Sequence, residues 1–152
     1  KNTVDLNLNQ NIKMDSNVLN LTEFRWNPFE STIYGMYHGT VYIDSDYYLI
    51  GTDDQGNKIC YQETGRNGQE TMFRQTIGLY PGYEEISPEA NTITLQLYEV
   101  KNDTAHQVSE EKMDKDPSDD IYEESTTYVY DGGERPIDSA IPIGDNFTIQ
   151  IR

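Results

Sequence analysis

A chain of 152 residues is the size of one domain and is long enough to bury a core of its own. The formal net charge is -16, from 27 acidic and 11 basic residues, which argues against nucleic acid and anionic lipid as partners. The only cysteine, Cys60, excludes an internal disulfide. Its strand-like neighbours Ile59 and Tyr61 predict a small buried side chain rather than a reactive thiol.

Three runs of the sequence alternate apolar and polar residues. They are VDLNLN from Val4, TITLQL from Thr92 and FTIQIR from Phe147. A period of two places one set of side chains on a buried face and the other in solvent, which is typical of half-exposed antiparallel strands. The alternation therefore predicts that the chain begins and ends with strands.

The second predicted strand changes parity. Leu19 and Leu21 alternate on one face, whereas Phe24 and Trp26 fall on the other. Either both faces of this strand are covered, or a bulge near 22–23 resets its register.

Further strands are indicated in the middle of the chain. The segment 32–43 is strand-like but contains Gly35 and Gly39, which predict a bend or a close approach of another backbone. The segments 48–52 and 58–62 read as a hairpin around the turn DDQGN, whose Gly and Asn tolerate a positive φ. ETMFRQTIGLY and NTITLQLYEV are two more strands.

The last third of the chain has a different character. A charged stretch at about 101–124 predicts a long acidic loop or insertion, and TTYVYD at 126–131 indicates a short strand after it. Asp145 and Asn146 predict a turn, after which 147–151 places alternate side chains in the core. Seven to nine short strands separated by turns favour an all-β fold, an antiparallel sandwich in one domain, 1–152.

No residue pattern indicates catalysis. His38 lies in a strand-like segment and His106 in a polar one, and neither has a nucleophile motif beside it. The neighbouring carboxylates at 84–85 and 110–111 are interpreted as solvated charge, because paired acids carry little information in a chain this acidic. We therefore predict that the chain is not an enzyme and assign no catalytic residue.

The acidic stretch contains candidate ligands for calcium, because hard cations bind clustered carboxylates on turns. The candidate ligands are Asp114, Asp116, Ser118, Asp119 and Asp120. Asp119 stands where an EF-hand loop requires glycine, and Ser125 stands where it requires glutamate. Other acidic turns are formed by Asp44, Asp46, Asp53 and Asp54. A solvated loop is the favoured interpretation, so no metal and no cofactor are assigned.

Aromatic side chains raise the possibility of a sugar-binding surface. Trp26, Tyr47, Tyr48, Tyr80 and Tyr83 are available to stack on pyranose rings. Tyr80 and Tyr83 flank a Pro-Gly loop, where exposed tyrosines are more informative. Trp26, at strand spacing from another aromatic, is more often a core residue.

Four segments together resemble a family of Gram-positive bacterial domains. They are IKMDSNVLNLTEFRWNPFESTIY, YYLIGTDDQGNKI, NTITLQLYEV and IPIGDNFTIQI. The family forms the extracytoplasmic part of membrane-anchored proteins that resemble anti-sigma factors. The resemblance implies an immunoglobulin-like antiparallel β-sandwich and no established catalytic residues. The acidic stretch 109–124 departs from the family pattern.

The resemblance also implies a function and a location. We expect a non-enzymatic extracytoplasmic sensory or interaction domain of a sigma-factor regulator, tethered to the cell membrane through a helix outside this chain, as the absence of an initiating Met also suggests. Its partner would be a protein or a cell-envelope component. The alternative is a carbohydrate- or protein-binding adhesion module of a surface protein. In either case, the loops at 101–120 and 80–91 are the expected carriers of function.

Overall fold

The computed structural model describes residues 3–39, 45–77, 81–101 and 136–152. Within these ranges the chain forms eight strands and one 3-10 turn at Pro136–Ser139, with no α-helix. The strands are β1 (Val4–Lys13), β2 (Asn17–Trp26), β3 (Ser31–Gly39), β4 (Ser45–Asp53), β5 (Lys58–Asn67), β6 (Glu70–Gln75), β7 (Thr92–Lys101) and β8 (Ile141–Gln150). None of the helical structure in these ranges is long and apolar enough to cross a bilayer.

The eight strands form one antiparallel sheet in the order β1-β2-β3-β6-β5-β4-β7-β8. The sheet curls until its edge strands β1 and β8 come close, and a Cβ placed on Gly144 would lie 3.3 Å from the Cγ2 atom of Ile12. A cleft of about 230 Å³ separates the same strands between 6–10 and 148–150. The predicted all-β, antiparallel, sandwich-like fold of seven to nine strands is therefore confirmed, and its strands belong to one nearly closed sheet.

The inner face of the curled sheet carries the main core. Its fully buried aliphatic and phenylalanine side chains are Leu19, Leu21, Phe24, Ile33, Leu49, Ile59, Phe73, Ile93, Leu95 and Leu97. They come from alternate positions of the strands, as the period of two predicts. Each contributes roughly 1.5–3 kcal/mol by leaving water.

The parity change in β2 is a bulge, as one of the two predicted alternatives requires. The register between β2 and β3 shifts between Leu21 and Glu23, so Thr22 is the extra residue and Phe24 turns inward. Gly35 faces the same part of the core. A Cβ there would lie 3.0 Å from the backbone oxygen of Asn20, which confirms the predicted close approach of another backbone.

The predicted hairpin is also confirmed. β4 and β5 pair from Tyr48 opposite Gln62 to Thr52 opposite Lys58, and Gly56 has a φ of +94° in the turn. The turn predicted at 145–146 is not formed. These residues lie inside β8, where its register against β7 shifts, and the burial of 147–151 at alternate positions is as predicted.

A second, smaller core covers the outer face of β4, β5 and β7. Its buried members are Tyr48, Cys60, Val100 and Ile137. Ile137 comes from the 3-10 turn, which therefore acts as a lid on this face. Cys60 is fully buried, which confirms the predicted buried side chain, and burial raises the pKa of its thiol to about 11.

Candidate functional site

One end of the curled sheet contains a large cavity, and we call it the open end. It is formed by the turn after β1, the first residues of β4 and β8 and the last residues of β7. The cavity has a volume of about 1020 Å³. Its lining residues are Lys13, Met14, Asp15, Ser16, Asn17, Ser45, Tyr47, Glu99, Lys101, Ile141, Pro142, Ile143 and Gly144.

The lining of this cavity carries charges of both signs. Lys13 and Lys101 are cationic, whereas Asp15 and Glu99 are anionic. The hydroxyl of Ser45 donates a 2.6 Å hydrogen bond to the carboxylate of Glu99, which fixes that carboxylate in place. The cavity is therefore suited to a polar ligand rather than to an apolar one.

A buried ion pair stands at the same end, and we call it the Glu63 cluster. Glu63 continues the inward parity of Ile59 and Tyr61 on β5, so its carboxylate enters the sheet interior. Arg66 binds it through two nitrogens, Nε at 3.1 Å and Nη2 at 2.5 Å. The side chains are only 6% and 17% exposed. Because charge-assisted bidentate pairs are strong and directional, this pair fixes the geometry around it.

Tyrosines complete the Glu63 cluster and connect it to the cavity. The Tyr37 hydroxyl donates to Glu63 at 2.8 Å, and the Thr71 hydroxyl donates to the same carboxylate oxygen. The Arg66 guanidinium lies 5.4 Å from the ring centre of Tyr37 and 5.6 Å from that of Tyr47. Tyr47 also lines the cavity, so the cluster forms the support of its wall.

Burial and charge set the protonation of this wall. Burial first, and then the Glu63 carboxylate, raises the pKa of Tyr37 far above its ordinary value, so its hydroxyl remains a donor. The pKa of Asp46 is raised by its partial burial and by Glu63, against the opposing effect of Arg66. The Tyr37 hydroxyl therefore stays protonated at neutral pH and keeps its hydrogen bond to Glu63.

The opposite end of the sheet is closed by a loop tied to the β4–β5 turn, and we call it the closed end. The Asp53 carboxylate accepts hydrogen bonds from the backbone N–H groups of Gln55, Asn57 and Ser87, each at 2.9 Å. Burial alone would raise the pKa of Asp53, but these donors outweigh it and hold the pKa below its ordinary value. Asp53 therefore anchors the loop 81–91.

Asp54 makes a second tie at the closed end. Both of its carboxylate oxygens lie 3.1 Å from the backbone nitrogen of Asn91. The tied loop buries Ile86 and Ala90 against the main core. The acidic turn at 53–54 is one of the candidate cation sites. Its role is structural, because its carboxylate oxygens already accept hydrogen bonds from backbone N–H groups.

A groove lies beside this tied loop, and we call it the Trp26 groove. It has a volume of about 460 Å³. Its lining residues are Val4, Trp26, Asn27, Pro28, Glu85, Ile86, Pro88 and Arg152. Next to it, Phe29 is 93% exposed at the tip of the turn between β2 and β3.

The structure separates the aromatic residues considered for sugar binding. Trp26 packs partly on the main core at the closed end, whereas Tyr47 is buried at the open end. Tyr48 and Tyr83 belong to the outer core, where Lys58 Nζ lies 5.9 Å from the Tyr83 ring centre. Tyr80 lies outside the described residues. A shared stacking platform of Trp26, Tyr47, Tyr48 and Tyr83 is therefore not formed.

Several other predicted features fall outside the described ranges. These include most of the acidic stretch 101–124 with all five weighed calcium ligands, the strand 126–131, His106, the acidic pair 110–111 and Asp44. His38, Glu84 and Glu85 are exposed. Within the part of the chain that is described, no group of three or more His, Cys, Asp or Glu side chains is placed to hold a metal ion.

Sequence reasoning missed the Glu63 cluster. The signal was present, because Glu63 has the same parity as the buried Ile59 and Tyr61. A carboxylate on an inward position needs a partner, and Arg66 is three residues away. The register shift between Glu63 and Gly65 brings that partner onto the same side, and this bulge is not readable from composition.

No family model, no curated protein and no solved structure matches this chain. The resemblance to outer domains of anti-sigma-factor-like proteins therefore stays a prediction, and the open end is interpreted from its own geometry.

Proposed function

We propose that this chain is a non-enzymatic sensory domain that binds a polar ligand in the cavity of the open end. The observation that carries the proposal is this cavity of about 1020 Å³, lined by Tyr47, Glu99 and Lys101. Its volume is at the upper end of the range of about 300–1,000 Å³ that is usual for small-molecule sites.

The surroundings of the cavity support a binding role because they are rigid before any ligand arrives. The carboxylate of Glu99 is held by Ser45, and the ring of Tyr47 lies against the guanidinium of Arg66. A preformed site loses little conformational entropy on binding. Charges of both signs favour a ligand that itself carries an ammonium and a carboxylate, or a dense set of hydroxyl groups.

The cellular setting of the proposal follows from the sequence resemblance. In an extracytoplasmic domain of a membrane-anchored sigma-factor regulator, occupancy of the open end would change the contacts of the domain with its neighbours. A protein or a cell-envelope component would be the source of the ligand group. The membrane would be reached only through a segment outside this chain.

Thermal unfolding with a panel of free amino acids and neutral oligosaccharides tests the proposal. At a hundred times its Kd, a true ligand stabilises the native state by about 2.7 kcal/mol, so the melting temperature rises. Glu99→Gln removes one charge from the lining and should weaken that ligand at least tenfold. Glu84→Gln, an exposed carboxylate at the other end, is the matched control and should bind as the wild type does.

Two results would contradict this proposal. One is a panel in which no compound raises the melting temperature at millimolar concentration. The other is a ligand whose affinity is the same for Glu99→Gln and for the wild type, because such a ligand binds elsewhere.

The alternative function, a carbohydrate-binding adhesion module, has one observation in its favour. Trp26 is partly exposed in a groove, where its indole face is available for stacking. If an oligosaccharide from the panel binds and Trp26→Ala abolishes the binding while Glu99→Gln does not, the adhesion module replaces the sensory domain as the better proposal.

A further inference from the structure

We propose that Phe29 and the Trp26 groove form a second recognition surface at the closed end. It binds a basic segment of a partner protein, whose apolar side chains contact Phe29 and the groove. This surface is independent of the cavity at the open end. The two surfaces lie at opposite ends of the same sheet, because β2 ends at Trp26 where β4 ends at Asp53.

Phe29 is exposed on a rigid turn. An isolated phenylalanine that is 93% exposed forgoes most of the free energy that its burial would provide. The side-chain oxygen of Asn27 accepts from the backbone nitrogens of Phe29 at 2.8 Å and of Glu30 at 3.0 Å. The backbone nitrogen of Asn27 in turn donates to the Glu30 carbonyl at 3.0 Å. The ring is thus presented from a fixed backbone, as an interface anchor is.

The Trp26 groove lies next to Phe29 and is partly apolar. Trp26, Ile86 and Pro88 give the groove an apolar surface, and Pro28, the neighbour of Phe29 in the chain, lies in its wall. Adjacent Cα atoms are about 3.8 Å apart, so the ring and the groove belong to one surface. A partner segment can therefore pack against the Phe29 ring and insert an apolar side chain of its own into the groove.

The charge around this surface selects a basic partner. Four exposed carboxylates stand near the apolar residues: Glu30, Glu84, Glu85 and Glu89. Arg152 is the one basic residue among those lining the groove. Glu30 lies 3.8 Å from Arg74, but both side chains are about half exposed, so this pair neutralises little. A segment with Lys or Arg on either side of an apolar residue complements this pattern.

The chain provides its own reporter for the test. Trp26 is the only tryptophan, and it lines the groove. A synthetic peptide Lys-Leu-Arg-Leu-Lys should therefore change the Trp26 emission saturably, and the effect should weaken as salt is added. The matched peptides Lys-Ser-Arg-Ser-Lys and Glu-Leu-Glu-Leu-Glu should bind at least tenfold more weakly, since each lacks one of the two required features.

Variants of the protein locate the contact. Phe29→Ser should weaken the basic apolar peptide at least tenfold without changing the fold, because the ring is almost fully in solvent. Ile77→Ser removes another exposed apolar side chain, 52% exposed, which lines neither the groove nor the cavity, and should leave the affinity unchanged. Glu85→Gln together with Glu89→Gln should reduce the affinity and its dependence on salt.

The proposal is overturned if the basic apolar peptide leaves the Trp26 emission unchanged, or if the acidic peptide binds equally well. It is also overturned if Phe29→Ser and Ile77→Ser change the affinity for the peptide by the same factor. A change in Trp26 emission with protein concentration alone would assign the surface to a second copy of this chain instead. None of these results depends on whether the open end binds its ligand.

Discussion

The two ends of the sheet use acidic residues in opposite ways. At the closed end, Asp53 and Asp54 accept from backbone N–H groups and fix the loop 81–91 over the core. At the open end, Glu63 enters the interior and is neutralised by a guanidinium between two tyrosine rings. A carboxylate bound to backbone amides immobilises the chain, whereas a carboxylate bound to another charge creates a polar wall. In this acidic chain the first arrangement holds a loop on the core and the second holds the tyrosines beside the cavity.

The largest expected effect is the loss of strand packing near the closed end on Gly51→Ala. A Cβ at this position would lie 1.7 Å from the carbonyl oxygen of Thr94, which is backbone and has no freedom to move away. We expect a loss of about 4 kcal/mol or more in the free energy of unfolding, measured by urea denaturation. Gly65→Ala is the control, because its Cβ would meet only the end of Met72 at 3.7 Å. Equal losses for both variants would contradict this explanation.

The next effect concerns the open end. Glu63→Gln removes the carboxylate charge that binds two nitrogens of Arg66, whose side chain is only 17% exposed. We expect a loss of about 2–3 kcal/mol in urea denaturation, below the full cost of a buried unpaired charge because some solvent remains. Glu63→Gln combined with Arg66→Met should recover part of that loss. If the double variant loses at least as much free energy of unfolding as the two single variants lose together, the ion pair is not the source of the effect.

A smaller and pH-dependent effect is expected for Asp53→Asn at the closed end. The new amide group would face the donors at Ser87 and Asn57, so about 1–2 kcal/mol of stability is lost at neutral pH. Because the folded pKa of Asp53 lies below the unfolded value of about 3.9, the contribution of the carboxylate is present above pH 4 and is lost as the pH falls through the folded pKa. Melting curves of both proteins should therefore converge in acid. A constant difference from pH 7 to pH 2 would contradict the role of this charge.

The smallest effect on stability should come from Phe29→Ser. The ring is exposed in the folded protein, so the free energy of unfolding should change by no more than about 0.5 kcal/mol. The contrast with the peptide affinity is what this variant measures, since a surface kept for recognition can be removed without cost to the fold. A loss of several kcal/mol would show that the ring packs on the chain.

The strands and their faces were predictable because alternation is a local property. The bulge at Thr22 was visible as a change of parity between Leu21 and Phe24, and the β4–β5 hairpin as a turn between two apolar runs. The order of the strands in the sheet was not predictable, since the pairing of β3 with β6 and of β4 with β7 joins segments that are distant in sequence. The Glu63 cluster depends on that order, because it brings together side chains from the neighbouring strands β3, β6, β5 and β4.

The curled sheet is not fully closed between its edge strands β1 and β8. In the described residues no hydrogen-bonded ladder joins β1 to β8, and a cleft lies between them. The curled sheet is thus a split ring rather than a sealed one. Separating β1 from β8 would break side-chain contacts but no backbone ladder, so this seam is the line along which the sheet opens most easily.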